Sequence, residues 1–243
     1  MSTSSTSSIA LIGSTGLVGS HILSTFLTSP STASQIQTIS RRAPSNPTNS
    51  TRLSPTVNAD TSTWPTLLSS LVPLPTTVIS SLGTTRGAAG GIANQWKIDH
   101  DLNVDLAKAA KQAGVKNFVF VSSAGTRSLL SSKVPYSQMK RGVEDTIQSL
   151  EFEHGIILRP GLILGERDKA HFPGQGLLVS AVRGLGKWVS QSWLQDSWAQ
   201  EADVIARAAV KAVRMAEEGK APAKWWVLEQ DEIVKLGRDE WKE

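Results

Sequence analysis

The stretch IALIGSTGLVG, residues 9–19, joins a short apolar run to three glycines that are separated by two residues each. Ile9–Ile12 is apolar throughout, as expected of a strand buried on both faces, and helix-spaced apolar residues follow from Leu17 to Leu27. In such a strand–turn–helix, the first glycine allows the sharp turn, the second lets the backbone approach a pyrophosphate, and the third lets the helix pack closely. The amides that start the helix would then face the phosphates. We therefore predict a dinucleotide site that includes Gly13, Ser14, Thr15, Gly16, Leu17 and Val18.

Strand-like and helix-like stretches alternate along the rest of the chain. This alternation predicts an α/β fold with a doubly wound parallel sheet of Rossmann type, whose ligands lie beyond the carboxyl ends of the strands. We expect a single domain over 1–243, with about 165–200 and 219–243 as a small substrate-side cap and tail. Residues 43–56 are rich in Pro, Ser, Asn and Thr and predict a surface loop. The predicted strands are 9–12, 36–39, one near Val57, 77–81, 118–121, 155–158 and 225–228, and the predicted helices are 17–27, 64–71, 95–113, 135–151 and 201–218.

The composition excludes several classes of site and partner. The chain has 243 residues and no cysteine, which excludes disulfides, thiolate zinc sites and a cysteine nucleophile. Its net charge is only +4 and its basic residues are scattered, so we expect no nucleic-acid partner. No apolar run reaches the roughly 18 residues of a membrane span. The histidines lack metal-ligand spacing, so no metal site is predicted.

The residues after the second predicted strand distinguish between the two nicotinamide cofactors. Ser40, Arg41 and Arg42 stand there with no acidic residue nearby. An NAD site usually has an acidic residue at this point for the ribose hydroxyls, whereas arginine suits a 2′-phosphate. Paired guanidinium groups can bind that phosphate through charge-assisted hydrogen bonds. We therefore predict NADP(H) as the cofactor, bound in part by Arg41 and Arg42.

The only tyrosine of the chain, Tyr136, opens the run YSQMK on a predicted helix. Positions four apart lie on one face of a helix, so Tyr136 and Lys140 project together. An ammonium group near a phenol favours the phenolate, which suits a group that donates a proton to a carbonyl oxygen as hydride reaches the carbon. Ser122 and Ser123 end the strand before this helix. Because neighbouring side chains of a strand face opposite ways, only one can reach the site; we predict Ser123, with Ser122 as the alternative.

Taken together, these motifs resemble the short-chain dehydrogenase/reductase superfamily, in its extended or atypical form. The glycine turn, the serine pair and the Tyr136/Lys140 pair carry this resemblance. The chain is also similar to fungal mitochondrial-proteome NAD(P)-binding proteins related to the human Tat-interacting oxidoreductase-like tumour suppressor. The stretches that carry the closer resemblance are 81–86, 117–124, 136–144 and 158–161.

The resemblance implies roles for individual residues. Ser123 would hydrogen-bond the substrate carbonyl, Tyr136 would donate the proton, and Lys140 would hold the nicotinamide ribose. Asn103 matches the asparagine that anchors a proton-relay water in many members. Cofactor contacts are further implied for Leu82, Gly83 and Thr84 near the adenosine ribose, Asp60 at the adenine edge, and Pro160, Leu162 and Ile163 at the nicotinamide pocket.

The function implied by the resemblance is an NADPH-dependent oxidoreductase that reduces a small aldehyde or ketone. The C-terminal part is short for the substrate domain of the sugar-nucleotide enzymes in this superfamily, which disfavours a nucleotide-sugar substrate. The alternative is an NADPH-binding regulator or scaffold with little or no turnover. The resemblance also implies a location on the cytosolic face, at most peripheral on the mitochondrial outer membrane. Two roles stay open: Arg86 could clamp an anionic substrate or pair with a carboxylate, and Trp188, Trp193 and Trp198 fit a substrate lid.

Overall fold

The computed structural model describes residues 7–29, 33–128, 131, 133–165 and 199–242. Strands and helices alternate through these parts of the chain. The strands are β1 Ser8–Ile12, β2 Gln35–Ser40, β3 Leu53–Val57, β4 Thr77–Ser80, β5 Asn117–Val121, β6 His154–Leu158, β7 Leu162–Leu164, β8 Ala199–Glu201 and β9 Trp225–Leu228. The α-helices are α1 Leu17–Thr28, α2 Trp64–Ser69, α3 Ile92–Trp96, α4 Leu102–Ala113, α5 Pro135–Ser149, α6 Ala202–Glu217 and α7 Gln230–Val234.

Seven of these strands form one parallel sheet in the order β3-β2-β1-β4-β5-β6-β9. The order reverses between β1 and β4, and a reversal of this kind leaves a crevice at the carboxyl ends of the strands in which dinucleotides bind. β7 and β8 form a separate parallel pair. The predicted doubly wound Rossmann-type fold is confirmed.

Helices cover both faces of the sheet because its central strands are apolar on both sides. Ile9 and Leu11 of β1 pack with α1 and α6, whereas Ala10 and Ile12 pack with α2, α4 and α5. All four side chains are fully buried. Burying a large aliphatic side chain contributes about 1.5–3 kcal/mol. The continuous apolar run at the start of the sequence therefore becomes the centre of two core layers.

The edge strand β3 begins earlier than the sequence predicted. Residues 53–56 belong to this strand, whereas a surface loop was predicted for 43–56. β3 lies at the edge of the sheet and is only partly buried, so it lacks the apolar run of a central strand, and it tolerates Pro55. Arg52, directly before it, donates to two carbonyl oxygens at the end of α1.

The C-terminal elements complete the sheet and cover one face of it. β9 pairs with β6, α6 packs on α1, and α7 continues into a π-helical turn, Lys235–Asp239, that packs on α6. This packing is close: a Cβ built on Gly237 would lie 2.0 Å from the carbonyl oxygen of Val204. The segment 219–243, predicted as a substrate-side tail, thus supplies the last strand. Of the cap predicted at about 165–200, all but the ends lies outside the described residues, as do Trp188, Trp193 and Trp198.

Candidate functional site

The glycine-rich turn joins β1 to α1 with little room for side chains. Gly13 has φ +89°, a left-handed conformation that favours glycine. Its carbonyl oxygen accepts the amide of Gly16 at 2.9 Å. A Cβ on Gly19 would lie 2.1 Å from the same oxygen, so glycine alone lets α1 pack this closely against the turn.

The start of α1 has the properties of an anion site. No side chain caps the helix at Gly16, and its first turn holds no acidic residue. The first amides of a helix lack intrahelical partners and attract negative charge. In this turn the hydroxyl of Ser14 is buried without a hydrogen-bond partner in the described chain, while Thr15 is exposed. The turn therefore fits the diphosphate of a dinucleotide.

Two exposed arginines follow β2. Arg41 and Arg42 reach solvent, and neither forms an ion pair with any residue that the structure describes. Their backbone is held in place, because Ser40 Oγ donates to the carbonyl oxygen of Arg42 at 2.6 Å and Asn58 N donates to that of Ser40 at 2.9 Å. Two positively charged side chains thus start from a fixed stretch of backbone at the carboxyl end of β2, next to the glycine turn of β1.

Asp60 is exposed beyond β3 and caps a short 3-10 turn, Thr61–Thr63. Its Oδ1 accepts the Ser62 hydroxyl at 2.6 Å and the Ser62 amide at 3.0 Å. The hydroxyl bond, followed by the amide bond, lowers the pKa of Asp60. The carboxylate therefore organises this turn, and its predicted contact with adenine stays a prediction.

Lys140 is buried at the carboxyl edge of the sheet. Its Nζ donates to the carbonyl oxygens of Val121 at 3.0 Å and Leu82 at 3.4 Å, and lies 4.6 Å from the ring centroid of Phe120. A Cβ on Gly83 would lie 3.8 Å from Nζ. The ammonium group therefore connects the end of β5 with the loop after β4.

Asp99, which the sequence analysis missed, is buried against the same loop. Its Oδ1 accepts the amide of Thr84 at 2.7 Å, and its Oδ2 accepts Gln95 Nε2 at 3.2 Å. Burial raises the pKa of Asp99, and the positive charge of Lys140 acts in the opposite direction. The loop 82–84 thus bonds an ammonium group at one end and a carboxylate at the other. An acid among the buried positions of a predicted helix was the sequence signal for it.

Asn103 is fully buried, and its amide bonds Ser80 and two backbone carbonyls. Its Oδ1 accepts Ser80 Oγ at 2.5 Å, and its Nδ2 donates to the carbonyl oxygens of Ile98 at 3.1 Å and Asp99 at 3.3 Å. Both carbonyls belong to a π-helical turn, Lys97–Asp101, between α3 and α4. The side chain thereby holds a turn in which the regular helical bonds are displaced. Its predicted anchoring of a water stays a prediction.

The two serines after β5 differ in their surroundings. Ser122 is buried, and its hydroxyl donates to Glu144 Oε1 at 2.5 Å. Ser123 is partly exposed, and its hydroxyl has no hydrogen-bond partner in the described parts of the chain. The same is true of the hydroxyl of Tyr136, which lies in the first turn of α5 and is 37% exposed. Of the two serines, Ser123 is therefore the one with a hydroxyl available to a ligand.

Glu144 on α5 is a second buried acid that the sequence analysis missed. Besides Ser122, its carboxylate accepts Arg127 Nε at 2.9 Å and Arg159 Nη2 at 2.7 Å. Arg159 Nη1 also donates to Glu229 at 2.7 Å. Burial alone would raise the pKa of Glu144, but the hydrogen bonds from Arg159, Ser122 and Arg127 lower it. These groups form an ion cluster around the buried carboxylate of Glu144.

The segment after β6 contains the residues predicted to line the nicotinamide pocket. Leu162 is 43% exposed, Ile163 is partly buried, and Pro160 precedes them. The amide of Gly161 donates to Oε1 of the buried Gln200 at 2.6 Å, which ties this segment to β8. The structure thus brings Gln200, another residue that sequence analysis missed, to the same end of the sheet.

The described residues contain no group of three or more His, Asp or Glu side chains that could hold a metal ion. Among the same residues, no helix has the length and apolar character needed to cross a membrane. Arg86 is exposed in the glycine-rich loop after β4, so both of its interpretations stay open.

Comparison with known proteins identifies the family. Over all 243 residues, the chain is 86% identical to "Protein fmp-52, mitochondrial" of Neurospora crassa, and it covers that protein completely. The chain belongs to the FMP52 family. A second family member, from Chaetomium globosum, is 57% identical over 235 residues, which are 96% of this chain and 98% of that protein. A family model described as HIM1 matches residues 56–176 of this FMP52-family chain.

Solved structures with the same fold include proteins that bind NAD⁺ or act on sugar nucleotides. The Bordetella bronchiseptica enzyme WbmH in complex with NAD⁺ has a TM-score of 0.61 at 17% identity, over 85% of this chain and 72% of that chain. The UDP-Glc/GlcNAc 4-epimerase of Campylobacter jejuni has a TM-score of 0.66 at 15% identity, over 94% and 82%. At these identities the similarity shows the fold alone. The finer kinship with the Tat-interacting tumour suppressor stays a prediction.

Proposed function

We propose that this FMP52-family protein is an NADPH-dependent oxidoreductase that reduces a small aldehyde or ketone. One observation carries the proposal: the hydroxyls of Ser123 and Tyr136 have no partner in the described chain, while Lys140, one turn after Tyr136 on α5, is buried and bonded to backbone carbonyls. Two unengaged hydroxyls beside a fixed positive charge are the groups that polarise and protonate a carbonyl oxygen. They stand at the carboxyl edge of a sheet whose first turn fits a diphosphate.

Each of these residues has a separate task in the reduction. The dinucleotide, when bound, supplies a hydride to the carbonyl carbon. Tyr136 donates its phenolic proton to the carbonyl oxygen, and Ser123 donates a hydrogen bond to the same oxygen. Lys140 holds the nicotinamide ribose, and the phenolate that remains recovers its proton from solvent because Tyr136 is exposed. Proton transfer of this kind contributes roughly 10²–10⁴-fold to the rate.

The charge at the end of β2 supports NADPH rather than NADH. WbmH has been solved with NAD⁺. In this chain, Arg41 and Arg42 stand unpaired at a point where NAD-binding sheets usually have an acidic residue. The proposed cofactor contacts are Gly13, Ser14, Thr15, Gly16, Leu17 and Val18 at the diphosphate, Arg41 and Arg42 at the 2′-phosphate, Asp60 at the adenine, Leu82, Gly83 and Thr84 near the adenosine ribose, Lys140 at the nicotinamide ribose, and Pro160, Leu162 and Ile163 at the nicotinamide.

A panel of small aldehydes and ketones, with NADPH oxidation followed by absorbance, tests the proposed activity. We expect turnover on at least one of them and a large loss of kcat in Tyr136→Phe, which keeps the ring and removes only the proton donor. Wild-type turnover in Tyr136→Phe would contradict the assignment. Tight NADPH binding without turnover on any substrate would instead support a regulator or scaffold.

The proposed location is the cytosolic face of the mitochondrion, with at most peripheral attachment to the outer membrane. The relatives from Neurospora crassa and Chaetomium globosum are named as mitochondrial proteins, which supports the organelle. Fractionation of fungal cells tests the rest: an alkaline carbonate wash of intact mitochondria should release the protein. Recovery only after detergent extraction would contradict peripheral attachment.

A further inference from the structure

One face of α5 carries three functional groups at successive turns. Tyr136, Lys140 and Glu144 are four residues apart, so they lie in a row along the helix. The first two belong to the proposed site. Glu144 lies one turn deeper and is fully buried. Its carboxylate has no part in the proposed reaction, so the buried charge at this point of the helix must serve another purpose.

The partners of Glu144 come from three segments that border the proposed site. Ser122 directly follows β5 and precedes Ser123, and Arg159 directly follows β6 and precedes Pro160. Arg127 belongs to the loop that follows the serines. The carboxylate of Glu144 therefore links α5 to the ends of β5 and β6 and to the loop that contains Arg127.

We infer that Glu144 is a positioning residue, which sets the distance between Tyr136 on α5 and Ser123 at the end of β5. This inference rests on the proposed function, because it concerns the same site. By binding the hydroxyl of Ser122, Glu144 also keeps that hydroxyl out of the proposed site. Ser123 is then the serine whose hydroxyl can bind a ligand. The preference for Ser123 over Ser122 thereby has a structural cause in a third residue.

The chemistry of the cluster requires a charge at this position. A carboxylate has lone pairs enough for Ser122, Arg127 and the two nitrogens of Arg159 that point at it. A glutamine offers a single oxygen, and its amide nitrogen would face guanidinium donors. Glu144→Gln therefore keeps the volume of the side chain and breaks part of this attachment, which should let α5 shift against the strand ends.

The chain contains a single tyrosine, so incorporation of 3-fluorotyrosine places one ¹⁹F label on Tyr136. We expect the ¹⁹F resonance of Glu144→Gln to broaden or move towards that of the free amino acid, and to lose its response to added NADPH. Asp145→Asn is the matched control: it removes the same charge from the next residue, which also pairs with Arg127 but is 60% exposed. Its spectrum should match that of the wild type. A folded Glu144→Gln variant with the spectrum of the control would overturn the inference.

Ser122→Ala keeps the inference testable if Glu144→Gln does not fold. It removes one small partner and leaves both guanidinium contacts of Glu144 in place. We expect a smaller displacement of the ¹⁹F resonance, and, where a substrate is found, a kcat lower by roughly 10- to 100-fold with little change in the KM for NADPH. An unchanged resonance would overturn the inference. Because the ¹⁹F signal needs no turnover, a displaced resonance in an inactive protein separates failure of the proposed function from failure of the positioning role.

Discussion

The arginines at the two sides of the sheet's carboxyl edge differ in how their charges are satisfied. Arg41 and Arg42, after β2, are exposed and form no ion pair in the described chain. Arg159, after β6, is largely buried and binds both Glu144 and Glu229. An unpaired guanidinium in solvent can bind a ligand phosphate, whereas a buried paired one already contributes to the fold. The binding role that we propose for Arg41 and Arg42 therefore contrasts with the structural role of Arg159 in the same sheet.

The largest effect is expected where the buried charge is broken. Arg159→Ala leaves Glu144 buried with Arg127 as its one charged partner among the described residues, and loss of one member of a buried pair costs about 3–5 kcal/mol. Arg41→Ala changes an exposed surface group and should stay within about 0.5 kcal/mol. Urea unfolding of both variants measures the difference. Equal destabilisation would abolish the distinction between the two sides.

Ligand binding should show the opposite ranking. Arg41→Ala should weaken NADPH binding by about 1.5–3 kcal/mol, the typical contribution of a hydrogen bond to a charged group, and leave NADH almost unchanged. The double change with Arg42→Ala should weaken it further and flatten the salt dependence. Calorimetric titration with both nucleotides measures this. Equal affinities of the wild type for NADPH and NADH would contradict the arginine argument.

The pH dependence of stability sharpens the comparison at the buried side. The pKa of Glu144 is lowered in the fold, so its ionised form is stabilised there, and this contribution is present above the ordinary value of 4.5 and lost as pH falls below it. Glu144→Gln should therefore be less stable than the wild type at neutral pH, with the gap closing on acidification. Urea unfolding at a series of pH values checks this. A gap that does not change with pH would show that the charge of Glu144 is irrelevant.

Asp99 should behave with the opposite sign. Burial raises its pKa above the ordinary value of 3.8, so its ionised form is disfavoured in the fold and stability declines as pH rises through the raised pKa. Asp99→Asn removes this loss, and its stability relative to the wild type should therefore increase from acid to neutral pH. Thermal unfolding of both proteins across that range provides the measurement. A relative stability that instead decreases would contradict the direction of the shift.

The smallest effect is expected at the rim of the cluster. Asp145 pairs with Arg127 but is largely exposed, and exposed ion pairs contribute about 0–1 kcal/mol. Asp145→Asn should therefore have nearly wild-type stability, as measured by urea unfolding. A loss comparable with that of Arg159→Ala would extend the structural cluster to the surface.

The sequence predicted the parts of the site that depend on local spacing. The glycine turn follows from three glycines after an apolar run, and the placement of Tyr136 and Lys140 one turn apart on α5 follows from helical periodicity. Both signals lie within a few residues. The predicted strands of the central sheet and the helices that flank it are confirmed for the same reason. The edge strand β3 was predicted to begin too late, because its polar residues show no apolar pattern.

The parts that could not be predicted depend on contacts between distant segments. Glu144 binds Ser122, which is 22 residues away, and Arg159, which is 15 away. In the sequence, Glu144 and Arg159 look like ordinary surface charges on a helix and after a strand. For Asp99, helical spacing signals burial, but its bond to the Thr84 amide depends on the loop after β4 closing over a π-helical turn. The hydrophobic pattern of one helix does not show which of its polar residues will be covered by a strand from elsewhere in the sequence.

The pairing of β9 with β6 has a consequence for the synthesis of the chain. β6 emerges with residues 154–158, but its outer neighbour is supplied only by residues 225–228. In a nascent or prematurely terminated chain, β6 is therefore an open apolar edge, able to pair with the same strand of another molecule. Truncation upstream of residue 225 should consequently produce aggregates rather than a smaller folded domain, and an affinity tag is better placed at the N-terminus than next to this closing strand.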